Sequence, residues 1–368
     1  MKQDILKQSK YQIIYDHIKE LAGNGKYALG ERLPSDGQLM AKFGVSRGTV
    51  GKAMRDLENN GLIYRRAGDG TYLKTTSADS AFVAVLIAGL GDTEFFEPIC
   101  AKIAKSCHNH KLSLIWGMLD MTGQKELRNE IDRFCDQLKT QRVSGLFFVP
   151  DETDKFSLSD GNHYLLDRLS NLGIRVVLLD RSNRPFPESS EYDLVGIDNF
   201  HAGYLQTQHL LDCGCQRIFY VARSAFLPTK EARIAGYRHA MKKAGHRAPD
   251  EWVFEGNVND GNFIGSILER KPDGIACFHD PIAMTLIREF SNAGVNVPRQ
   301  VKIVGVDDVR YSQFLPVPLT TIHQPCLEIA DAAVTLMLDR LADIRLAPRD
   351  LRLAAKLVVR QSTVEKPM

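Results

Sequence analysis

No stretch of the 368 residues approaches the apolar length that crosses a membrane, and the opening MKQDILKQSK has no signal-type apolar core. A cytoplasmic protein is the expectation. Low-complexity segments are missing too, and 44% hydrophobic with 25% charged residues is ordinary for a soluble chain. The seven cysteines are odd in number, form no CxxC and mostly lie in apolar segments, so reduced core thiols are expected rather than a metal or redox centre. The sequence has no GxxxxGK[ST], no GxSxG and no HExxH. Gly89-Leu-Gly91 begins like a dinucleotide fingerprint, but position 94 is Glu and no third glycine follows. His108 and His110 have no further ligand at useful spacing and read as surface residues. These absences argue against catalysis and predict neither cofactor nor metal.

Net charge is also small, at +2, but it is unevenly spread. Residues 1–78 hold 13 Lys+Arg against 8 Asp+Glu, which leaves 34 against 37 for the remainder. A basic head on a slightly acidic body suits nucleic-acid contact through the head alone, although five charges do not exclude chance.

Within the head, Ser35 followed by Gln38 is a capping box, and Leu39, Met40 and Phe43 then recur at helical spacing until Gly44. Ser46 can cap a second helix carrying Val50, Ala53, Met54 and Leu57 on one face. Two short capped helices joined by a glycine turn describe a helix-turn-helix. The second helix opens with Arg47, Gly48 and Thr49 and adds Gly51, Lys52 and Arg55 on its solvent side, a start suited to a major groove. Before this pair, Tyr11, Ile14, Ile18 and Leu21 give an apolar helix face, and Asn24–Glu31 reads as a loop. After it, Leu62–Tyr64 and Thr71–Leu73 flank a Gly-rich turn with Arg65 and Arg66, a hairpin able to act as a wing.

The run Leu33-Pro34-Ser35, Val45-Ser46-Arg47, Thr49-Val50, Gly61-Leu62-Ile63, Arg65-Arg66, Gly68 and Gly70-Thr71 resembles the winged helix-turn-helix of GntR-type bacterial transcription regulators. By that likeness Ser46, Arg47, Thr49 and the wing around Gly68 touch DNA, and the candidate DNA-binding set is Ser35, Ser46, Arg47, Thr49, Lys52, Arg65, Arg66 and Gly68. Two positions depart from the family: Asp36 stands where Glu is usual, and Gly51 where Arg or Lys is usual. Glycine inside a helix costs about 1 kcal/mol against alanine. It either allows closer approach to the groove, marks a different operator, or is neutral.

Beyond a short polar stretch at 76–81, strand-like runs alternate with amphipathic ones. The strand readings are 82–88, 112–116, 145–149, 175–179, 194–197, 217–221, 252–255, 274–278 and 301–306; the helical ones include 96–109, 124–138, 164–172, 201–213, 230–244, 262–269 and 282–293. Strict βαβα alternation with continuous apolar strands predicts an α/β body of parallel sheets, and its size predicts two similar subdomains. Such sheets bind ligands outside the carboxyl ends of their strands. That rule selects 89–96, 116–120, 150–151, 180–181, Arg223, 279–280 and 307–308, where carboxylates, arginines and aromatics suit a polyhydroxylated small molecule.

Segments VSGLFFVP (143–150), IRVVLLDR (174–181), the run 195–221, VKIVGVDD (301–308) and LTTIHQP (319–325) resemble the effector domain of LacI/GalR-type repressors, relatives of periplasmic sugar-binding proteins. A GntR-like head on such a body resembles the AraR class of sugar-responsive regulators. The resemblance implies effector contacts from Asp180, Arg233 and Asp307. It also implies one from His279, where the family usually has Asn, while Asp280 reads as a helix cap. Phe95 and Trp116 are the candidate aromatic walls. The small hinge helix usual before LacI-type effector domains is missing from 74–80.

The expected protein is thus a homodimeric repressor in three parts: a DNA-binding domain at 1–75, a linker at 76–81 and a ligand-binding and dimerisation domain at 82–368. Its partners are double-stranded operator DNA and a small molecule, a sugar or sugar derivative. A purine or other metabolite, or an α/β enzyme of sugar or nucleotide metabolism carrying a DNA-binding head, are the alternatives.

Overall fold

A computed structural model describes residues 10–23, 27–28, 30–59, 61–66, 68–74, 81–87, 94–117, 119, 127–151, 161–224 and 227–365. The expected linker apart from Ala81, the Gly89–Gly91 run and most of the strand-end segment 89–96 lie outside them.

The head has three helices, α1 (Lys10–Gly23), α2 (Asp36–Phe43) and α3 (Arg47–Asn59), then a hairpin of β1 (Ile63–Arg66) and β2 (Gly70–Leu73). The capping box forms as its residues dictate: Gln38 N–H donates to Ser35 Oγ at 3.3 Å and Ser35 N–H to Gln38 Oε1 at 2.8 Å. Gly44 ends α2 at φ +58°, a left-handed turn that glycine adopts without strain. Ile14, Ile18, Leu39, Val50, Met54 and Leu57 close over Ile63 and Leu73 to form a core separate from that of the body. Arg32 forms an isolated antiparallel bridge with Tyr72 of β2, with Leu33 N–H donating to Thr71 O at 2.8 Å, so the end of the stretch read as a loop is tied to the hairpin.

Among the described residues the body holds two six-stranded sheets. The N-terminal sheet is built from β3 (Phe82–Ile87), β4 (Ser113–Gly117), β5 (Val143–Val149), β6 (Arg175–Leu179), β7 (Asp193–Ile197) and β13 (Asp350–Leu353), ordered β13-β7-β6-β5-β3-β4. One face carries α4 (Phe96–Asn109) and α11 (Cys326–Ala342); the other carries α5 (Leu127–Thr140) and α6 (Gly161–Asn171). The C-terminal sheet is ordered β14-β12-β11-β10-β8-β9, from β8 (Ile218–Ala222), β9 (Val253–Glu255), β10 (Gly274–Cys277), β11 (Lys302–Asp307), β12 (Thr320–His323) and β14 (Lys356–Val358). Helices α7 (Asn199–Asp212), α8 (Pro228–Lys243), α9 (Gly261–Glu269) and α10 (Asp280–Asn292) complete that subdomain.

Among the described residues strict alternation does not hold throughout: β11 and β12 are joined by a 3-10 turn and β13 leads to β14 without a helix. No helix separates β6 from β7, and β14 runs antiparallel to β12. The chain passes between subdomains three times, from β7 into α7, from β12 into α11 and from β13 to β14. Such triple crossings leave a cleft bounded by the carboxyl ends of both sheets.

Candidate functional site

On the head, Ser46 starts α3. Its Oγ lies 2.9 Å from Thr49 Oγ1 and accepts Thr49 N–H at 3.3 Å, so both hydroxyls sit at the exposed helix start. Arg47 beside them is exposed and makes no side-chain hydrogen bond or ion pair among the described residues. Gly51 faces open space: a Cβ there would meet only Arg55 Nη1, at 3.9 Å.

Three of the expected DNA contacts have other commitments. Ser35 Oγ is used by the α2 cap. The Lys52 ammonium lies 5.3 Å from the Tyr11 ring centroid, drawn back toward α1, while Tyr11 Oη donates to Asp56 at 2.6 Å. Arg65 Nη2 donates to both Asp36 oxygens, at 2.9 and 3.1 Å, pinning the wing to α2. Asp36 is thus the wing's anchor. Arg66 covers the stacked rings of Tyr64 and Tyr72, with its guanidinium 5.5 and 5.0 Å from their centroids, and Gly68 turns the hairpin at φ +76°. Arg66 also lies 3.9 Å from Asp69, so Arg47, Ser46, Thr49 and Gly68 are the expected contacts left at the head's surface.

In the body, strand register sets the cleft. Val221 pairs with Cys277 and Ala276 with Val304, and Phe278 N–H donates to Val221 O at 2.9 Å. Counting two residues on from the first pair and three from the second places Arg223, His279 and Asp307 on adjacent strand ends, with His323 opposite Asp307. Across the cleft, Asp180 N–H donates to Val195 O at 2.7 Å, and Asp180 and Arg181 follow β6. Asp180, Asp307 and Asp308 hold φ of +67°, +116° and +56°, a region sparsely used by residues with a Cβ and found preferentially at functional sites.

Arg233 reaches this space from α8. Its Nε donates to Asn199 Oδ1 at 2.8 Å, Nη1 donates to Phe278 O, and the guanidinium lies over the Phe278 ring at 4.9 Å. Arg181 donates through Nε to Asp180 Oδ2 at 3.0 Å and covers Phe96 at 5.6 Å. Gln324 Nε2 donates to Asp307 Oδ1 at 2.8 Å, whereas its buried Oε1 has no partner among the described residues.

These groups feel one another across the cleft. Burial pushes Asp180 up to about 7, against the pull of Arg233. Burial likewise raises Asp307 to about 6, opposed by Arg233 and by the Gln324 hydrogen bond. Arg181 is held down to about 9 by burial and then by Arg223 and Arg233. Burial, followed by Arg223, holds His279 down to about 3, so its ring is neutral at ordinary pH.

Four of the six expected effector residues thus converge, Asp180, Arg233, His279 and Asp307. The roles of His279 and Asp280 change from those expected. His279 is the N-cap of α10, with Nδ1 accepting Ile282 N–H at 3.2 Å. Asp280 follows it and is fully buried, accepting from Thr321 Oγ1 at 2.6 Å and Val309 N–H at 3.0 Å, which staples the 307–309 turn. Phe95 is buried edge-on to Phe96 in the α4 layer, and Phe96 is the aromatic that reaches the cleft arginine. Trp116 stands 52% exposed on edge strand β4. Asn199 and Gln324 were not expected, and Arg181 was selected by the strand-end rule without being named as an effector contact. The signal for Arg181 was its place directly after Asp180 at the same strand end; Asn199 and Gln324 become visible only when α8 and β11 come to meet them. Among the described residues no group of three His, Cys, Asp or Glu could hold a metal ion.

Comparison with known proteins gives separate matches for two parts of the chain. Residues 10–73 match the bacterial regulatory proteins of the gntR family, and residues 207–363 match the periplasmic binding protein-like domain. An arabinose metabolism transcriptional repressor of Halalkalibacterium halodurans is 26% identical over 385 residues, 97% of each chain. The transcriptional repressor PurR of Vibrio campbellii is 28% identical over 277 residues, covering 74% of this chain and 78% of its own. Among solved structures, a transcriptional regulator CelR–cellobiose complex superposes with TM-score 0.66 at 22% identity, over 90% of this chain and all of the other. A LacI family regulator of Enterococcus faecium with bound ribose gives TM-score 0.62 at 22% identity, over 78% of this chain and all of the other.

Proposed function

We propose that this chain, which joins a GntR helix-turn-helix head to a periplasmic-binding-protein-like body, is a ligand-responsive transcription repressor. Residues 1–75 bind double-stranded operator DNA, and residues 82–368 take a small molecule and dimerise. The observation that carries the reading is the convergence of Asp180 and Arg181 from one subdomain with Arg233, His279 and Asp307 from the other. The three chain crossings lie beside them. A ligand held by both walls closes the cleft. It shifts DNA affinity by the difference between its affinities for the DNA-binding and released arrangements.

A sugar or sugar derivative fits this cleft better than a purine. Carboxylates with a buried unpartnered amide oxygen accept hydroxyls, and Gln324 Oε1 is one such acceptor. A purine calls for open aromatic faces, yet Phe96 and Phe278 are already covered by Arg181 and Arg233. A repressor similar to this chain over 97% of its length is named for arabinose metabolism. The PurR likeness, carried mainly by the body, keeps a purine as the second reading, which ligand-panel thermal shifts distinguish.

A homodimer suits a two-fold operator. Exposed Phe314 and Leu327 in the body offer apolar surface for it, and light scattering reads the result. The protein acts in the cytoplasm, and its cleft carboxylates bind ligand without turnover, so incubated sugars and nucleosides are recovered unchanged. The decisive experiment is a mobility shift on DNA upstream of the gene and its neighbours. Selective binding that an effector releases is expected, and Arg47→Ala weakens it by about 1–3 kcal/mol if that residue reads a base. Equal affinity for random DNA overturns the reading.

A further inference from the structure

Both arginines of the wing hairpin lie against a carboxylate. Arg65 donates to Asp36 on α2, and Arg66 Nη1 lies 3.9 Å from Asp69 Oδ2 at the hairpin tip. The tip is built to hold that second pair. Asp69 N–H donates to Arg66 O at 3.1 Å, which closes the turn, and Tyr72 Oη donates to Asp69 Oδ2 at 2.7 Å. Register pairs Tyr72 with Tyr64 across the hairpin, their ring centroids lie 5.4 Å apart, and the Arg66 guanidinium covers both rings. Two ring faces and a carboxylate thus hold Arg66 flat along the wing. The Asp69 side chain is 51% exposed beside the arginine it pairs. A carboxylate placed there works against DNA contact. It repels phosphate, and it offsets the cation that would otherwise neutralise one.

Resting on the regulator reading above, we propose that Asp69 is a specificity-determining residue of the DNA-binding head, an internal counter-anion that withholds the wing's charge from sequence-independent binding. Affinity for arbitrary DNA comes from phosphate neutralisation, and each contact steepens the slope of log K against log salt by about 0.9. With Arg66 occupied by Asp69, the wing adds little to that slope. On the operator, base contacts from Arg47, Ser46 and Thr49 fix the head's register and hold the tip against one phosphate position. Half-exposed pairs such as Arg66 with Asp69 are weak. Arg66 therefore exchanges its carboxylate for the phosphate held beside it, as a tethered group does at high effective concentration. The operator recovers a contact that arbitrary sequence does not.

Asp69→Asn tests this, because asparagine suits the same turn and accepts from Tyr72 but carries no charge. Binding of the full-length protein to a duplex of arbitrary sequence is measured by fluorescence anisotropy over a salt series, beside the selected operator. In Asp69→Asn, affinity for arbitrary DNA is expected to rise about fivefold to tenfold near 0.1 M salt, with the slope steeper by about 0.9. Operator affinity rises by no more than about twofold, the worth of one weak surface pair, so the ratio between the two falls. Adding Arg66→Gln to Asp69→Asn returns arbitrary DNA to the parent's affinity and slope, which identifies Arg66 as the cation released. Asp69→Glu keeps the parent's slope, and melting curves establish that the variants fold. An unchanged slope on arbitrary DNA, an equal gain on operator and arbitrary sequence, or a gain that survives Arg66→Gln overturns the inference. Failure of the parent to prefer any operator counts against the regulator reading instead, since the salt series on arbitrary DNA is read without an operator.

Discussion

His279 and Asp180 face each other's subdomain with pKa shifts of opposite sign, and stability should record both. A histidine held down to about 3 is neutral when folded but takes a proton when unfolded below its ordinary value. Its contribution is complete above about pH 6.5 and is lost as pH falls toward 3. Asparagine caps helices without titrating. The melting temperature of His279→Asn should therefore gain on the parent as pH falls from about 7 to about 4. Asp180 is raised to about 7, so its folded form keeps the proton that the unfolded chain releases. Its contribution is largest below about pH 4 and is lost as pH rises through 7, so Asp180→Asn gains on the parent in the other direction. Gly51 makes a separate case. With open space at its Cβ, Gly51→Ala should stabilise the head by about 1 kcal/mol in chemical denaturation. If it also preserves operator affinity, close approach to the groove is not why glycine stands there.

Among the elements, α7 and α8 show how packing delivers a functional side chain. A Cβ on Gly203 would lie 2.0 Å from Arg233 O, and one on Gly236 would lie 2.0 Å from Phe200 O. The two helices touch backbone to backbone, and this contact sets the depth at which Arg233 enters the cleft. Gly203→Ala should destabilise the body by about 3 kcal/mol or more and weaken effector binding with it. A Gly265→Ala control, where open space awaits the methyl, should do neither. Long apolar elements could be read from sequence alone: α4 and β6 fall at 96–109 and 175–179, the bounds their periodicity gives. Strands β13 and β14 could not. Asp350-Leu-Arg-Leu and Lys356-Leu-Val are short edge strands of mixed polarity, ordered by partners far away in the chain. Arg65 and Lys52 were read as outward cations because spacing cannot reveal Asp36 or Tyr11 beneath them. The strand-end rule found Asp180, His279 and Asp307 without knowledge of the register.

At the scale of the whole molecule, the head's core and the body's cores share no residues. Calorimetry should resolve two unfolding transitions. Saturating effector should move the body's transition alone, by about 2.7 kcal/mol of added stability at a hundredfold excess over Kd. Within the body such separation fails. Asp193 at the start of β7 is fully buried and accepts from Arg340 Nε at 2.6 Å and Arg349 N–H at 2.8 Å, which locks α11 and the approach to β13 onto the N-terminal sheet.

The return of α11 and β13 to the first body sheet also orders the protein's birth. Strands β3 to β7 leave the ribosome more than a hundred residues before the helix that covers them and the strand that closes their edge. The head, complete by Leu73, can fold while the rest is being made. The effector subdomains finish together, only when the last segment is free, so a nascent or truncated chain can grip DNA before any ligand can release it.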